Sequence, residues 1–261
     1  MDQVLYRREG AVEVVTLNRP ESKNSFSFAM IKELGDHFQS LTLEDNVRAV
    51  IITGAGKGFC TGADLNSPDN RPDIATPVGM RLTTQWYSRV IGGIMNLEKP
   101  VIGAINGVAA GAGCNLALSC DILIASEAAR FIQVFLRRGL IADMGGTFFL
   151  PRLIGLARAK ELMFSANEVD ARRALELGFV NKVVPENELM SAAMELAQRM
   201  AHGPTRAIGM MKNMLNRSFE SDLESALERE AAMQGIAVST GDVKEGVMSF
   251  FEKRPPNFTG N

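Results

Sequence analysis

"KPVIGAINGVAAGAGCNLALSCDILIAS", residues 99–126, is the stretch on which the fold turns. Its residues 101–120 form the longest apolar run of the chain, a length that suggests a membrane span. Asn106, Asn115 and repeated glycines interrupt the run, and its pattern changes partway along. "KPVIGAIN" reads as a strand buried on both faces, and "GAGCNLALSCD" as a short helix opened by glycines. "DILIASEAARFIQ" returns to strand material with a turn. The segment is therefore buried strand, turn, helix and strand, and no membrane partner is expected.

The same alternation extends upstream. "AVEVVTLNRP" (11–20) alternates, is rich in valine and closes on a proline, as a strand does. "FSFAMIKELGDHFQSLTLED" (26–45) has helical periodicity, with Met30, Leu34, His37, Phe38 and Leu41 on one face. "VRAVIITGAG" (47–56) is a second doubly buried strand. A polar, proline-bearing stretch at 66–77 predicts a loop, and 78–98 predicts a helix. From Asp143 onward the sequence reads almost wholly as helix. The expected class is α/β: stacked ββα or βαβ units over residues 1–200, then a helical C-terminal region over 201–261. Apolar helix faces left over at the end of a domain commonly meet a neighbouring subunit.

Composition excludes several classes. Against 28 Lys+Arg stand 30 Asp+Glu, a net charge of -2, so no basic face is offered to nucleic acid. "MDQVLYRREG" lacks the apolar core of a secretory signal, and a cytoplasmic location is expected. Cys60, Cys114 and Cys120 cannot all pair within the chain and have no zinc spacing, so they read as buried small side chains and no metal is expected. His37 and His202 are the only histidines, and neither lies near a candidate nucleophile in sequence. Nucleophile elbow, phosphate loop and dinucleotide fingerprint are all missing.

Two glycine-flanked turns carry more information. "GFCTGADL" (58–65) and "NGVAAGAGCNLAL" (106–118) each follow a buried strand, and the second opens a helix. Small residues there let a ligand approach the backbone, and two converging N–H groups would make an oxyanion hole. Tight strand-to-helix packing explains the same glycines equally well.

Six segments in order resemble the crotonase, or enoyl-CoA hydratase/isomerase, superfamily: "VVTLNRPESKNSFS", "AVIITGAGKGFCTGADL", "KPVIGAINGVAAGAGCNLALSCDILIAS", "GGTFFLPRLIG", "LGFVNKVVP" and "EGVMSFFEKRPPNF". The resemblance covers nearly the whole chain. It implies a crotonase-like spiral of ββα repeats, a C-terminal helical trimerisation region, and a homotrimer or dimer of trimers. It also implies an acyl-CoA thioester substrate, with coenzyme A as part of that substrate and no separate cofactor. By the same resemblance the thioester carbonyl sits between the backbone N–H groups of Ala63 and Ala112. Lys23, Asp64 and Leu65 are implied around the CoA moiety, with Phe250 and Lys253 at its adenine end.

The family's hydratases carry one glutamate in the helix after the second glycine turn and another about twenty residues later. Asn115 and Phe135 stand at those positions here. Adding water across a double bond takes a group to activate the water and a proton source, and neither residue exchanges a proton near neutral pH. Asp143, isolated in "GLIADMGG" (139–146), matches an acidic position of the family's dienoyl-CoA and ring 1,2-epoxyphenylacetyl-CoA isomerases; the latter resemblance is the closer. A charge in such apolar company is either a helix cap or the acid/base of a site. The resemblance favours the second, with Phe135, Leu140, Met144 and Phe148 as candidate pocket walls. The expected function is an acyl-CoA isomerase that shifts a proton and double bond, extending to ring-epoxide isomerisation. The alternatives are an enoyl-CoA hydratase and a CoA-thioester-binding relative without catalysis.

Overall fold

In the computed structural model, which describes residues 2–64, 74 and 76–261, the apolar runs pair into two sheets. β1 (Val4–Glu9) and β2 (Val12–Leu17) form an antiparallel hairpin. Helix α1 (Phe28–Ser40) follows, its first turn capped by the Ser27 hydroxyl, which accepts from Met30 N. Then come β3 (Ala49–Gly54), β4 (Gly58–Cys60) and α2 (Pro77–Asn96). The pattern repeats in β5 (Val101–Ile105), β6 (Val108–Ala110) and α3 (Ala112–Leu118), and again in β7 (Ile122–Ser126), β8 (Arg130–Ile132) and α4 (Gly146–Ile154). Helix α5 (Leu156–Ser165), β9 (Glu168–Asp170), α6 (Ala171–Leu177) and β10 (Lys182–Val184) complete the sheets. The chain continues as α7 (Leu189–Ala201), α8 (Thr205–Asn216), α9 (Leu223–Ala237) and α10 (Gly241–Glu252).

Each winding lays one strand in the large sheet, one in the small sheet, and then a helix. The large sheet runs β1-β2-β3-β5-β7-β10 and the small one β4-β6-β8-β9, so the two grow side by side as a ββα spiral. β3, β5 and β7 are parallel neighbours buried almost throughout, which is why they read as continuous apolar runs. The main core lies between the sheets and α1–α4; a second fills the space between the large sheet and α7.

Three expectations change. The N-terminal strand β1 shows no apolar–polar alternation, because Leu5, Tyr6, Arg7 and Arg8 are all exposed; among the described residues it pairs only with β2. β9 and β10 interrupt the supposedly all-helical second half, each only three residues long. His37 is not wholly core: its Nε2 meets Glu13 Oε1 at 2.6 Å at the edge of α1. Of the loop expected at 66–77, residues 66–73 and 75 lie outside the described residues.

The C-terminal helices are tied to the spiral by two cations, Lys212 buried and Arg48 half-buried. Lys212 Nζ lies 2.8 Å from Asp121 Oδ2 and donates to the carbonyl oxygens of Ile94 and Lys99. Arg48 donates to Thr205 Oγ1 and to the carbonyls of Gly203 and Phe258. Beyond these anchors α8, α9, α10 and the 3-10 turn between α8 and α9 (Ser218–Glu220) leave Met211, Leu215, Phe219, Leu227, Phe250 and Phe251 exposed. Among the described residues no helix is long and apolar enough to cross a membrane. All three cysteines are free and buried.

Candidate active site

The two glycine turns meet. After β4 the chain pairs briefly with the segment before α1: Phe26 N donates to Gly62 O at 2.7 Å and Asp64 N to Phe26 O at 2.9 Å. Those bonds use Gly62 and Asp64, so the N–H of Ala63, between them, points to the other side. Gly111 N donates to Ile132 O at 2.8 Å, and Ala112 opens α3 with an N–H that has no partner inside the helix. Gly62 and Gly111 have φ of +86° and +54°, conformations that side-chain-bearing residues rarely adopt. A Cβ on Gly62 would stand 3.2 Å from Ala112 N, and one on Gly113 would run into the carbonyl of Cys60. The glycines are thus needed for contact between the turns, which brings Ala63 and Ala112 to one wall.

That wall closes a cavity of about 280 Å³. Phe26, Phe28, Tyr87 and Phe135 give it an aromatic lining, with Met80, Leu140 and Ile141 beside them. Asp143 is the one carboxylate and Arg138 the one cation on its lining among the described residues. No cluster of His, Cys, Asp and Glu that could hold a metal stands among the described residues.

Asp143 lies between a 3-10 turn (Val134–Arg138) and α4. It is not the helix cap: the N-cap is Gly145, without a side-chain capping bond. Among the described residues Oδ1 is closed off from water with no hydrogen-bond partner. Burial raises its carboxyl to about 6, and only a bond to its own backbone N–H pulls the other way. Its carbonyl, in contrast, is held twice, by Asn115 Nδ2 at 2.7 Å and Gly146 N at 3.0 Å. Asn115 is fully buried, and its Oδ1 accepts from Gln133 Nε2 at 2.8 Å.

The other expected residues divide into groups. Ala63, Ala112, Phe135, Leu140 and Asp143 share the cavity. Lys23 is exposed, at φ +50°, and packs beside Gly58 near that rim, its carbonyl accepting from Thr61 N. Asp64 is paired with Arg19, Oδ2 to Nη2 at 2.8 Å, which pins the first turn. Leu65 lies outside the described residues. Phe250 and Lys253, at the end of α10, are exposed and are not part of this cavity's lining. Met144 and Phe148 are not walls. Met144 is buried in the core, whereas Phe148 packs under the Arg152 guanidinium at 3.6 Å on another face. α2 turns one face to the core at helical spacing, through Thr83, Tyr87, Val90 and Ile94, so nothing in the sequence separated Tyr87 and Met80 as cavity walls from ordinary packing residues. Gln133 was missed because its value arises only where β8 meets α3.

A family model described as "Enoyl-CoA hydratase/isomerase" matches residues 7–261. The chain is 40% identical to a 1,2-epoxyphenylacetyl-CoA isomerase of Escherichia coli K12, covering 100% of this chain and 99% of the relative. It is 39% identical to a short-chain-enoyl-CoA hydratase of Clostridium acetobutylicum, covering 97% and 96%. Among solved structures, an enoyl-CoA hydratase of Bacillus anthracis superposes with a TM-score of 0.93 at 34% identity over 100% of both chains. Relatives of both names therefore share the whole length of the chain.

Proposed function

The chain belongs to the enoyl-CoA hydratase/isomerase family, and from that premise we propose that it is a one-carboxylate acyl-CoA isomerase with Asp143 as its acid/base. The observation that carries this reading is that Asp143 is the sole carboxylate on the lining among the described residues. As carboxylate it takes the proton from C2 of a 3-enoyl thioester. The C–H electron pair moves through C2–C1 onto the thioester oxygen, giving a dienolate. The N–H groups of Ala63 and Ala112 hold that oxygen, each such donor being worth roughly 3–4 kcal/mol in the transition state. The Asp143 acid then returns its proton at C4, and the pair flows back to leave a 2-enoyl thioester. One carboxylate is regenerated and no water is consumed. A carboxyl near pH 6 is matched to both halves of this shuttle. For a ring-epoxide acyl group, the substrate in the name of the E. coli relative, the same acid would assist C–O cleavage.

Hydration is the second reading, favoured by the hydratase names of the other relatives. Against it stands the use of Asn115, whose amide is committed to Gln133 and the Asp143 carbonyl and forms no part of the lining. The active form is proposed to be a homotrimer or dimer of trimers joined through the exposed apolar faces of the C-terminal helices. Lys23 and Asp64, with Phe250 and Lys253 of this or another subunit, are proposed to meet the CoA moiety.

The test is purified protein with 3-hexenoyl-CoA, crotonyl-CoA and a ring-epoxide CoA thioester, in parallel with Asp143→Asn. Isomerisation that disappears in the variant is expected. Crotonyl-CoA hydration that survives Asp143→Asn would establish the hydratase instead. Binding of CoA thioesters without turnover of any of the three would leave a non-catalytic relative.

A further inference from the structure

The Asp143 carboxylate has little to orient it. Its Oδ1 has no partner, and no cation is paired with it among the described residues. The direction in which the carboxyl points must therefore be set through the main chain. That main chain is itself unusual: Met144, at φ +46°, and Gly145, at φ +75°, follow in left-handed conformations. A non-glycine residue there is held by its surroundings. The restraint on Asp143 is the pair of hydrogen bonds to its carbonyl, one from Gly146 N and one from the Asn115 amide.

Asn115 is in turn held in one orientation. Gln133, almost fully buried, donates to its Oδ1, so Nδ2 must face the Asp143 carbonyl. Gly146 packs directly on the same amide, where a Cβ would collide with it. A carboxylate at position 115 would have no donor for that carbonyl and would face it with like partial charge.

We propose that Asn115, braced by Gln133, is the positioning residue that aims Asp143 into the cavity. This rests on the reading of Asp143 as the acid/base. The side chain in the place of a hydratase glutamate has here become the mount for a different acid. Restoring a glutamate at 115 would accordingly remove the isomerase machinery before supplying a hydratase.

The experiment measures kcat, KM and the pH dependence of kcat for 3-hexenoyl-CoA isomerisation by wild type, Asn115→Leu, Gln133→Leu and Asp143→Asn. With the mount broken and no charge added, kcat of Asn115→Leu is expected to fall about 100-fold with KM changed less than about 3-fold, the loss typical of a misplaced reacting group. The carboxyl, freed to meet water, is expected to shift the acid limb of the profile from about 6 towards the ordinary value of about 4. Gln133→Leu, which leaves Asn115 in place but unbraced, is expected to move the limb the same way by less; it keeps the test alive if Asn115→Leu does not fold. An acid limb that stays at the wild-type value in every folded variant of the two overturns the proposal, whatever happens to kcat. Activity retained by Asp143→Asn overturns the acid/base reading instead, so the two failures are distinct.

Discussion

Asp143 works at a cost to the fold. Its carboxyl is raised by burial from 3.8 to about 6 in the native state. A group with a raised native pKa contributes its stability fully below the unfolded value and loses it as pH rises through the native one. Above pH 6 the buried carboxylate therefore destabilises the protein, by roughly 2–3 kcal/mol at about 1.4 kcal/mol per unit. Asp143→Asn should raise the urea midpoint at pH 8, and the gain should shrink as the pH is lowered to 5. A variant less stable than wild type at pH 8 would show that the carboxylate is held by interactions that stabilise it. The sequence displayed this residue because a lone charge among apolar neighbours is conspicuous. It could not display Asn115 and Gln133 as its mount, since their bonds join segments 18 and 28 residues apart in sequence.

At the scale of elements, α3 is the part whose register matters most. It is buried along its whole length, and Gly113 lies against the carbonyl of Cys60 at the end of β4. Gly113→Ala must push α3 off that strand end, carrying Ala112 and Asn115 with it. Overpacking of this kind costs about 1–3 kcal/mol. A lowered Tm together with a loss of turnover is the expected result; an unchanged Tm would mean that the two elements can slide apart freely. The long apolar strands β3, β5 and β7 and the helices α1, α2 and α7–α10 were readable because each carries many residues of one period. β4, β6, β9 and β10 have three residues each, too few to express a period, and their partners are distant in sequence; β8, equally short, was legible only as the strand material beyond the turn in "DILIASEAARFIQ". Half of the spiral's geometry thus rests on strands that only the assembled fold defines.

The whole molecule presents two unlike regions. The spiral buries two apolar cores, although Leu43, Ile141 and Phe164 stand exposed on it, whereas α8–α10 gather exposed apolar side chains around a groove lined by Met210, Met211, Met214, Leu215 and Met233. This surface is the ground for the oligomer proposed above, since exposed apolar patches of this extent are commonly covered by a partner. Sedimentation velocity should find wild type as a trimer or larger and Met211→Glu/Leu215→Glu as smaller species; a monomeric wild type at micromolar concentration would end the trimer proposal. The helical character of this region was readable from its periodicity, but its fixing to the spiral was not. That depends on Lys212 reaching Asp121, residues 91 positions apart, inside the fold. The three thiols have a use beyond packing. Cys60 ends β4, Cys114 lies in α3 and Cys120 follows it, all buried and with burial pushing each thiol well above its ordinary pKa. None can react with a thiol reagent until its surroundings open. Cys60 and Cys114 flank the two turns, whereas Cys120 lines a different cavity; with Cys120→Ala, the rate of colour release from a disulfide dye times the opening of the turns around the site, and a ligand bound there should slow it.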